Sequence, residues 1–185
     1  MTVKRFVPAA VALAFVASAC SSQALPLPEY ASAMEEATDA YIVESQALSE
    51  TFQNAVTNQI SDIVERSDGS VESQATDITK GEMLQYLSLL EDAMGRYLDT
   101  ISLLTPPAVV SAAHDDYVAA FAGVGGALPE ARLSISSAGD LSGIQGALAG
   151  SDFRDGQYRL SSTCRSLEAA ARSEGTGLDL GCARR

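Results

Sequence analysis

Apolar residues recur at steps of three and four along four long stretches of the chain, which is the period of an amphipathic α-helix. The stretches cover residues 29–66, 77–104, 105–128 and 151–175. None of the sequence shows the sustained alternation typical of a strand. Because long helices joined by short connections pack antiparallel, the pattern predicts an all-α fold. We expect an up-down antiparallel four-helix bundle over residues 29–185, forming a single domain.

The first two helices carry the longest apolar stripes. The stripe of the first consists of Met34, Ala37, Tyr41, Leu48, Phe52, Val56, Ile60 and Ile63. The stripe of the second consists of Met83, Leu87, Leu90, Met94, Tyr97, Ile101 and Leu104, which alternates steps of four and three as in a heptad seam. Residues 79–82 have the spacing of a capping box, which favours a start near Asp77, although an earlier start also fits. We expect this second helix to be the most buried one.

The third helix is predicted to be irregular. It follows Thr105-Pro106-Pro107, where threonine can cap and proline suits a first turn. Proline inside a helix removes a hydrogen bond, so we expect Pro129 to kink or break it and to leave an irregular third corner. A short helix is predicted at 141–148, and Gly175 is a natural cap for the end of the fourth helix.

Residues 1–19 have the features of a secretion signal. Lys4 and Arg5 precede an apolar run over residues 6–16, and small residues follow at 17–19. That run is too short for a permanent membrane span. Cys20 comes directly after it, and this arrangement resembles the lipobox of bacterial lipoproteins, with Ala17 where that family usually has a larger aliphatic residue.

The lipobox resemblance implies a diacylglycerol group and a further acyl chain such as palmitate on Cys20, with residues 20–28 as a lipidated tether. It also implies a cell-envelope protein, anchored by this lipid to the outer face of a bacterial membrane. The alternative is ordinary cleavage after Ala19, which would leave Cys20 as a free or disulfide-bonded thiol.

The remaining two cysteines form an even pair. Once Cys20 is set aside, Cys164 lies in the fourth helix and Cys182 in the tail after it. Exported proteins occupy an oxidising compartment in which such pairs form disulfides. We therefore predict a Cys164–Cys182 disulfide that staples the C-terminal tail to the last helix, the alternative being two unpaired thiols.

Composition and charge exclude one class of function, nucleic-acid binding, and leave two interpretations of the acidic residues. The 185 residues include 12 basic and 24 acidic side chains, a net charge of −12. A nucleic-acid partner is therefore excluded, because binding to phosphates needs clustered lysine and arginine. Residues 20–95 hold two basic and fourteen acidic side chains. This acidic half is either a solvated face or a patch for a cationic partner or loosely held divalent ions.

Few residues of the sequence suggest catalysis or ligand binding. The sequence contains no nucleophile elbow, phosphate-binding loop or metal-ligand motif, so we expect no enzyme activity, cofactor or metal site. The only histidine, His114, lies on the third stripe, where a packing role is expected. The alternative is that His114 lines a small-ligand pocket between the helices together with Tyr41, Tyr97 and Tyr117.

The leading hypothesis is a non-enzymatic, lipid-anchored helical bundle that binds or scaffolds other components of the bacterial cell envelope, with an unknown protein as a further partner. The alternative is a carrier of a small ligand or metal, with its site in the bundle core near His114.

Overall fold

The computed structural model describes residues 24–66 and 71–182 of the chain. Within these ranges the chain forms helices and no strand, which confirms the all-α prediction. The helices are α1 (Leu27–Arg66), α2 (Val71–Ser102), α3 (Ala108–Ser137), α4 (Leu141–Leu148) and α5 (Ser151–Ser173). The predicted signal peptide, Cys20 and the connection at 67–70 lie outside the described residues.

The four long helices form the predicted antiparallel bundle, but its sides are not equivalent. Neighbours in sequence pack together, α1 on α2 and α2 on α3, and α5 packs on the other side of α3. The backbones of α1 and α5 scarcely approach each other. The C-terminal tail, residues 176–182, fills part of the space between them with the buried side chains of Leu178 and Leu180.

The most buried helix is α3 rather than α2, so that prediction was wrong. Nine residues of α3 are buried against seven of α2, because α3 is covered by α2 on one side and α5 on the other. A heptad seam shows which face of a helix is apolar, whereas burial depends on how many neighbours cover the helix.

The helix α2 starts six residues before Asp77, so the alternative of an earlier start is the correct one. The helix begins at Val71, and Thr79 lies within it. Ala75 and Thr76 are buried in this added turn and a half, and the Thr76 hydroxyl donates to the carbonyl of Glu72. Tertiary packing of these small residues extends the helix beyond the local capping signal.

Pro129 does not break α3, which continues to Ser137. The proline is exposed, while Leu128 before it and Ala131 and Ile135 after it are buried. Packing on both sides therefore holds the helix through the missing hydrogen bond. The irregular corner comes later, at the short helix α4, where the Asp140 carboxylate accepts from the backbone N–H of Gly143 at 2.7 Å.

The second half of α1 and the first half of α2 form a helical hairpin. Its apolar positions in α1, which include Phe52, Val56 and Ile60, are only half-buried, because α2 is the main neighbour of α1. The rings of Phe52 and Tyr86 lie 5.4 Å apart across the hairpin.

Candidate functional site

Four aromatic rings from three helices meet near the middle of the bundle. Tyr41 of α1 stacks on Tyr97 of α2 with ring centres 5.1 Å apart. Phe121 of α3 packs against both, at 5.3 Å from Tyr41 and 4.7 Å from Tyr97. Tyr117 lies one turn earlier on α3, 6.2 Å from Phe121. The structure therefore brings the three sequence-predicted tyrosines together.

Two of these tyrosines are joined by buried hydrogen bonds. The Tyr97 hydroxyl lies 2.9 Å from the Tyr117 hydroxyl and 2.9 Å from the hydroxyl of Thr38. These hydrogen bonds connect α1, α2 and α3 in a buried region, where an unpaired polar atom would destabilise the fold. Its first role is to fix the register of the three helices.

His114 lies in the same core but has its own partner. Its Nδ1 is 2.8 Å from the hydroxyl of Tyr30 on α1, and both residues are buried. Burial lowers the pKa of His114 below 6.5, and the nearby Asp115 carboxylate offsets only part of this effect. Burial likewise raises the pKa of Tyr30, with Tyr97 and Asp115 adding to the rise. The pair is therefore neutral at pH 7.

A cleft of about 510 Å³ opens where α1 and α5 diverge. We call it the α1–α5 cleft. Its lining is drawn from all four long helices and the tail: Tyr41, Leu90, Met94, Tyr117, Phe121, Val124, Phe153, Arg154, Gln157, Tyr158, Leu160, Ser161, Cys164 and Cys182. Tyr41 and Tyr117 thus line this cleft, whereas His114 and Tyr97 do not.

The polar and charged side chains of the cleft are concentrated on α5. Among the lining residues, Arg154 is the only charged one, and Gln157 and Ser161 lie on the same helix. The Arg154 side chain is 59% exposed, and its Nε lies 3.9 Å from a carboxylate oxygen of Asp155. The opposite wall and floor are apolar or aromatic, so the cleft has one polar edge.

The Cys164–Cys182 disulfide closes one end of the cleft. The cysteine Cα atoms are 5.8 Å apart, and both residues line the cleft. This confirms the predicted pair. Gly175 ends α5 with a φ of 80°, a left-handed conformation suited to glycine, and the chain then turns back along the bundle.

Two carboxylates hold the tail in place. Glu35 of α1 accepts from the backbone N–H of Asp179 at 2.9 Å, and Glu168 of α5 accepts from that of Leu180 at 2.9 Å. The tail is therefore bonded to both helices that it separates. It acts as a spacer that sets the width of the gap at this end of the cleft.

Cys164, Cys182 and Glu168 also bring three potential metal-ligand atoms within 4.8 Å of one another. In the folded chain the two sulfurs are bonded to each other, and only a thiolate is a good metal ligand. The Glu168 carboxylate already accepts from the tail backbone. The oxidised protein therefore uses this group to hold the tail.

Sequence reasoning missed Tyr30, Thr38 and Arg154. Tyr30 lies one turn before Met34, so extending the first stripe by one turn would have included it. Thr38 is a polar residue on an apolar stripe, and such a residue indicates a buried hydrogen bond. Arg154 carries no local signal, because only the divergence of two distant helices makes it part of a cleft.

Comparisons of the chain with protein-family models, with curated proteins and with solved structures each find no match. Over residues 24–66 and 71–182, no helix has the length and hydrophobicity to cross a membrane.

Proposed function

We propose that this protein is a non-enzymatic binding module of the bacterial cell envelope, anchored by a lipid on Cys20, whose binding site is the α1–α5 cleft. The observation that carries the proposal is the cleft itself. Its volume of about 510 Å³ falls within the range of small-ligand sites, and such sites combine apolar walls with a few polar groups.

The character of the lining supports binding rather than catalysis. Hydrolysis or group transfer needs a nucleophile beside a base. The lining residues include Ser161 but no carboxylate or imidazole, and the Ser161 hydroxyl accepts from the Arg165 guanidinium at 3.1 Å. The only imidazole of the chain is bonded to Tyr30 in the core.

The same cleft would also be the site of the second candidate function, which is to carry a small ligand. Tyr41 and Tyr117 line the cleft, so a carrier site would lie there rather than at His114. Burial favours the neutral form of His114, which suits packing and a hydrogen bond to Tyr30. The two candidate functions would thus use the same cleft and differ only in whether a protein partner or a small ligand occupies it.

Site-specific photo-crosslinking in intact cells tests the proposal. A photoreactive phenylalanine analogue is placed at Ser161, which lines the cleft. The matched control places it at Ser162, the adjacent exposed serine of α5 that is not part of the lining. The full chain, with its signal peptide and Cys20, is expressed in a bacterial host for both variants.

We expect a covalent adduct from position 161 and none from position 162. The mass of the adduct shows whether it is a polypeptide or a small molecule. The same adducts from both positions, or none from either, would contradict a binding role for the cleft.

A further inference from the structure

We infer that the α1–α5 cleft binds a single-chain anionic amphiphile of the fatty-acid class, with its carboxylate at Arg154 and its hydrocarbon chain directed towards the disulfide. This inference rests on the proposed function, because it names the ligand of the same cleft. It depends on three properties of the cleft, namely its length, the scarcity of polar groups on its floor and far wall, and its charge.

The cleft is elongated along α5. Its lining residues on that helix run from Phe153 to Cys164, which corresponds to about 16 Å of helix at 1.5 Å per residue. Arg154 lies at one end of this trough and the disulfide at the other. A trough with a charged end and an apolar end matches a molecule that has one polar head and one long chain.

The floor and far wall offer contacts to hydrocarbon but few hydrogen bonds. Leu90 and Met94 of α2 face the cleft across from α5, and Phe121 and Val124 of α3 form part of its floor. An extended peptide would find side-chain partners only along the α5 edge, so its backbone N–H and C=O groups facing the floor and far wall would lack partners, at a cost of kilocalories each. A hydrocarbon chain has no such groups, and its burial is favourable at about 25 cal/mol per Å².

The charge of the cleft selects the sign of the head group. Among the described residues, Arg154 is the single charged residue of the lining, in a chain whose net charge is −12. The Asp155 carboxylate forms an ion pair with the Arg154 Nε at 3.9 Å, a distance too long for a hydrogen bond. A guanidinium has five N–H donors in a planar fork, so it can bind a carboxylate in two places at once.

Calorimetric titration of the purified full-length protein with decanoate and with decyltrimethylammonium tests this inference, because the two probes share a ten-carbon chain and differ in head-group charge. The wild-type protein is expected to bind decanoate more tightly. Arg154→Gln is expected to weaken decanoate binding about fivefold, the size of a contact to a half-exposed charge. Arg154→Glu is expected to reverse the preference in favour of the cation.

Arg159→Glu is the matched control, because Arg159 is exposed on the same helix and is not part of the lining. It changes the net charge as Arg154→Glu does and is expected to leave the preference for decanoate intact. A second pair locates the site: Ser161→Trp should block decanoate, and Ser162→Trp should not.

Equal binding of the two probes by the wild-type protein would overturn the inference, as would equal effects of Arg154→Glu and Arg159→Glu. It would also be overturned if Ser161→Trp and Ser162→Trp bound decanoate equally. These titrations test only the ligand class, and the photo-crosslinking at position 161 tests the binding role. A polypeptide crosslinked at position 161 would support the binding role and would refute the amphiphile as the ligand.

Discussion

The Tyr30 hydroxyl lies 2.8 Å from Nδ1 of His114 and joins residues that are 84 positions apart in the sequence. Tyr30 is in the first turn of α1, and His114 is in the second turn of α3. Their rings meet edge to face with centres 5.6 Å apart. With the imidazole neutral, the hydroxyl can donate to Nδ1, so each residue provides the buried polar partner that the other needs.

Tyr30→Phe should lower the free energy of unfolding by about 1–3 kcal/mol, the cost of leaving a buried hydrogen-bond partner unpaired. The substitution keeps the ring and removes only the hydroxyl. Urea unfolding at pH 8 followed by circular dichroism measures the change. Tyr158→Phe is the control, because Tyr158 is 70% exposed, and it should change stability by less than about 0.5 kcal/mol. Equal effects of the two substitutions would contradict a role for the buried bond.

Stability should fall as the pH is lowered through about 6.5, in part because of His114. Burial lowers the pKa of this residue in the folded state below its ordinary value of 6.5, so the unfolded chain takes up the proton first as the pH falls. Protonation then favours the unfolded state. Urea unfolding between pH 8 and pH 5 should show a smaller loss for His114→Gln than for the wild type. The same pH dependence in both proteins would show that His114 titrates equally in the two states.

Loss of the disulfide should cost about 3 kcal/mol, the chain-entropy value for a closed loop of this size. The two cysteines are separated by 18 positions. The free energy of unfolding is compared for the wild type with and without reductant and for Cys164→Ala/Cys182→Ala. The double variant should match the reduced wild type and should not respond to reductant. A wild-type protein that is as stable when reduced would show that Leu178, Leu180 and the carboxylate contacts hold the tail unaided.

Pro129→Ala should raise the free energy of unfolding by about 2 kcal/mol. Alanine is favoured over proline inside a helix by about 3 kcal/mol, and the greater freedom of the unfolded alanine chain offsets up to about 1 kcal/mol of this. The side chain at 129 is exposed, so little packing is lost. Glu130→Ala, at the adjacent exposed position, serves as the control. A drop in stability for Pro129→Ala would show that the corner between α3 and α4 depends on the proline.

Cys20→Ala should abolish incorporation of labelled palmitate and move the protein from the membrane fraction to the soluble extract. Two or more acyl chains give stable membrane attachment, since each buried methylene contributes about 0.8 kcal/mol. The measurement is radiolabelling followed by fractionation of cells that express the full chain. The Cys164→Ala/Cys182→Ala protein is the control and should still be labelled. Equal labelling of Cys20→Ala would refute the lipid anchor.

The sequence predicted those features of the fold that local signals encode. The short helix at 141–148 and the end of the last helix at Gly175 follow from periodicity and glycine chemistry, and both match the structure. The disulfide followed from the expected compartment and an even cysteine count. The two helix features depend on a few neighbouring residues, and the disulfide depends on the oxidising compartment expected for the whole chain.

The features that escaped prediction depend on contacts between distant segments. Pro129 stays within α3 because buried neighbours on both sides hold the helix, and α2 begins early because Ala75 and Thr76 find a buried environment. The apolar period of α1 could not show that Phe52 would remain half-buried. The α1–α5 cleft arises from the space that these two helices leave between them, which no single segment encodes.

The backbone N–H of Leu25 donates to the carbonyl of Thr105 at 2.9 Å, so the chain enters the bundle beside the α2–α3 connection. Residues 20–25 can reach at most about 17 Å, whereas the 40 residues of α1 extend for about 60 Å. With a lipid on Cys20, this short reach would keep the α2–α3 connection close to the bilayer, and the far end of α1 could lie up to about 60 Å from that connection.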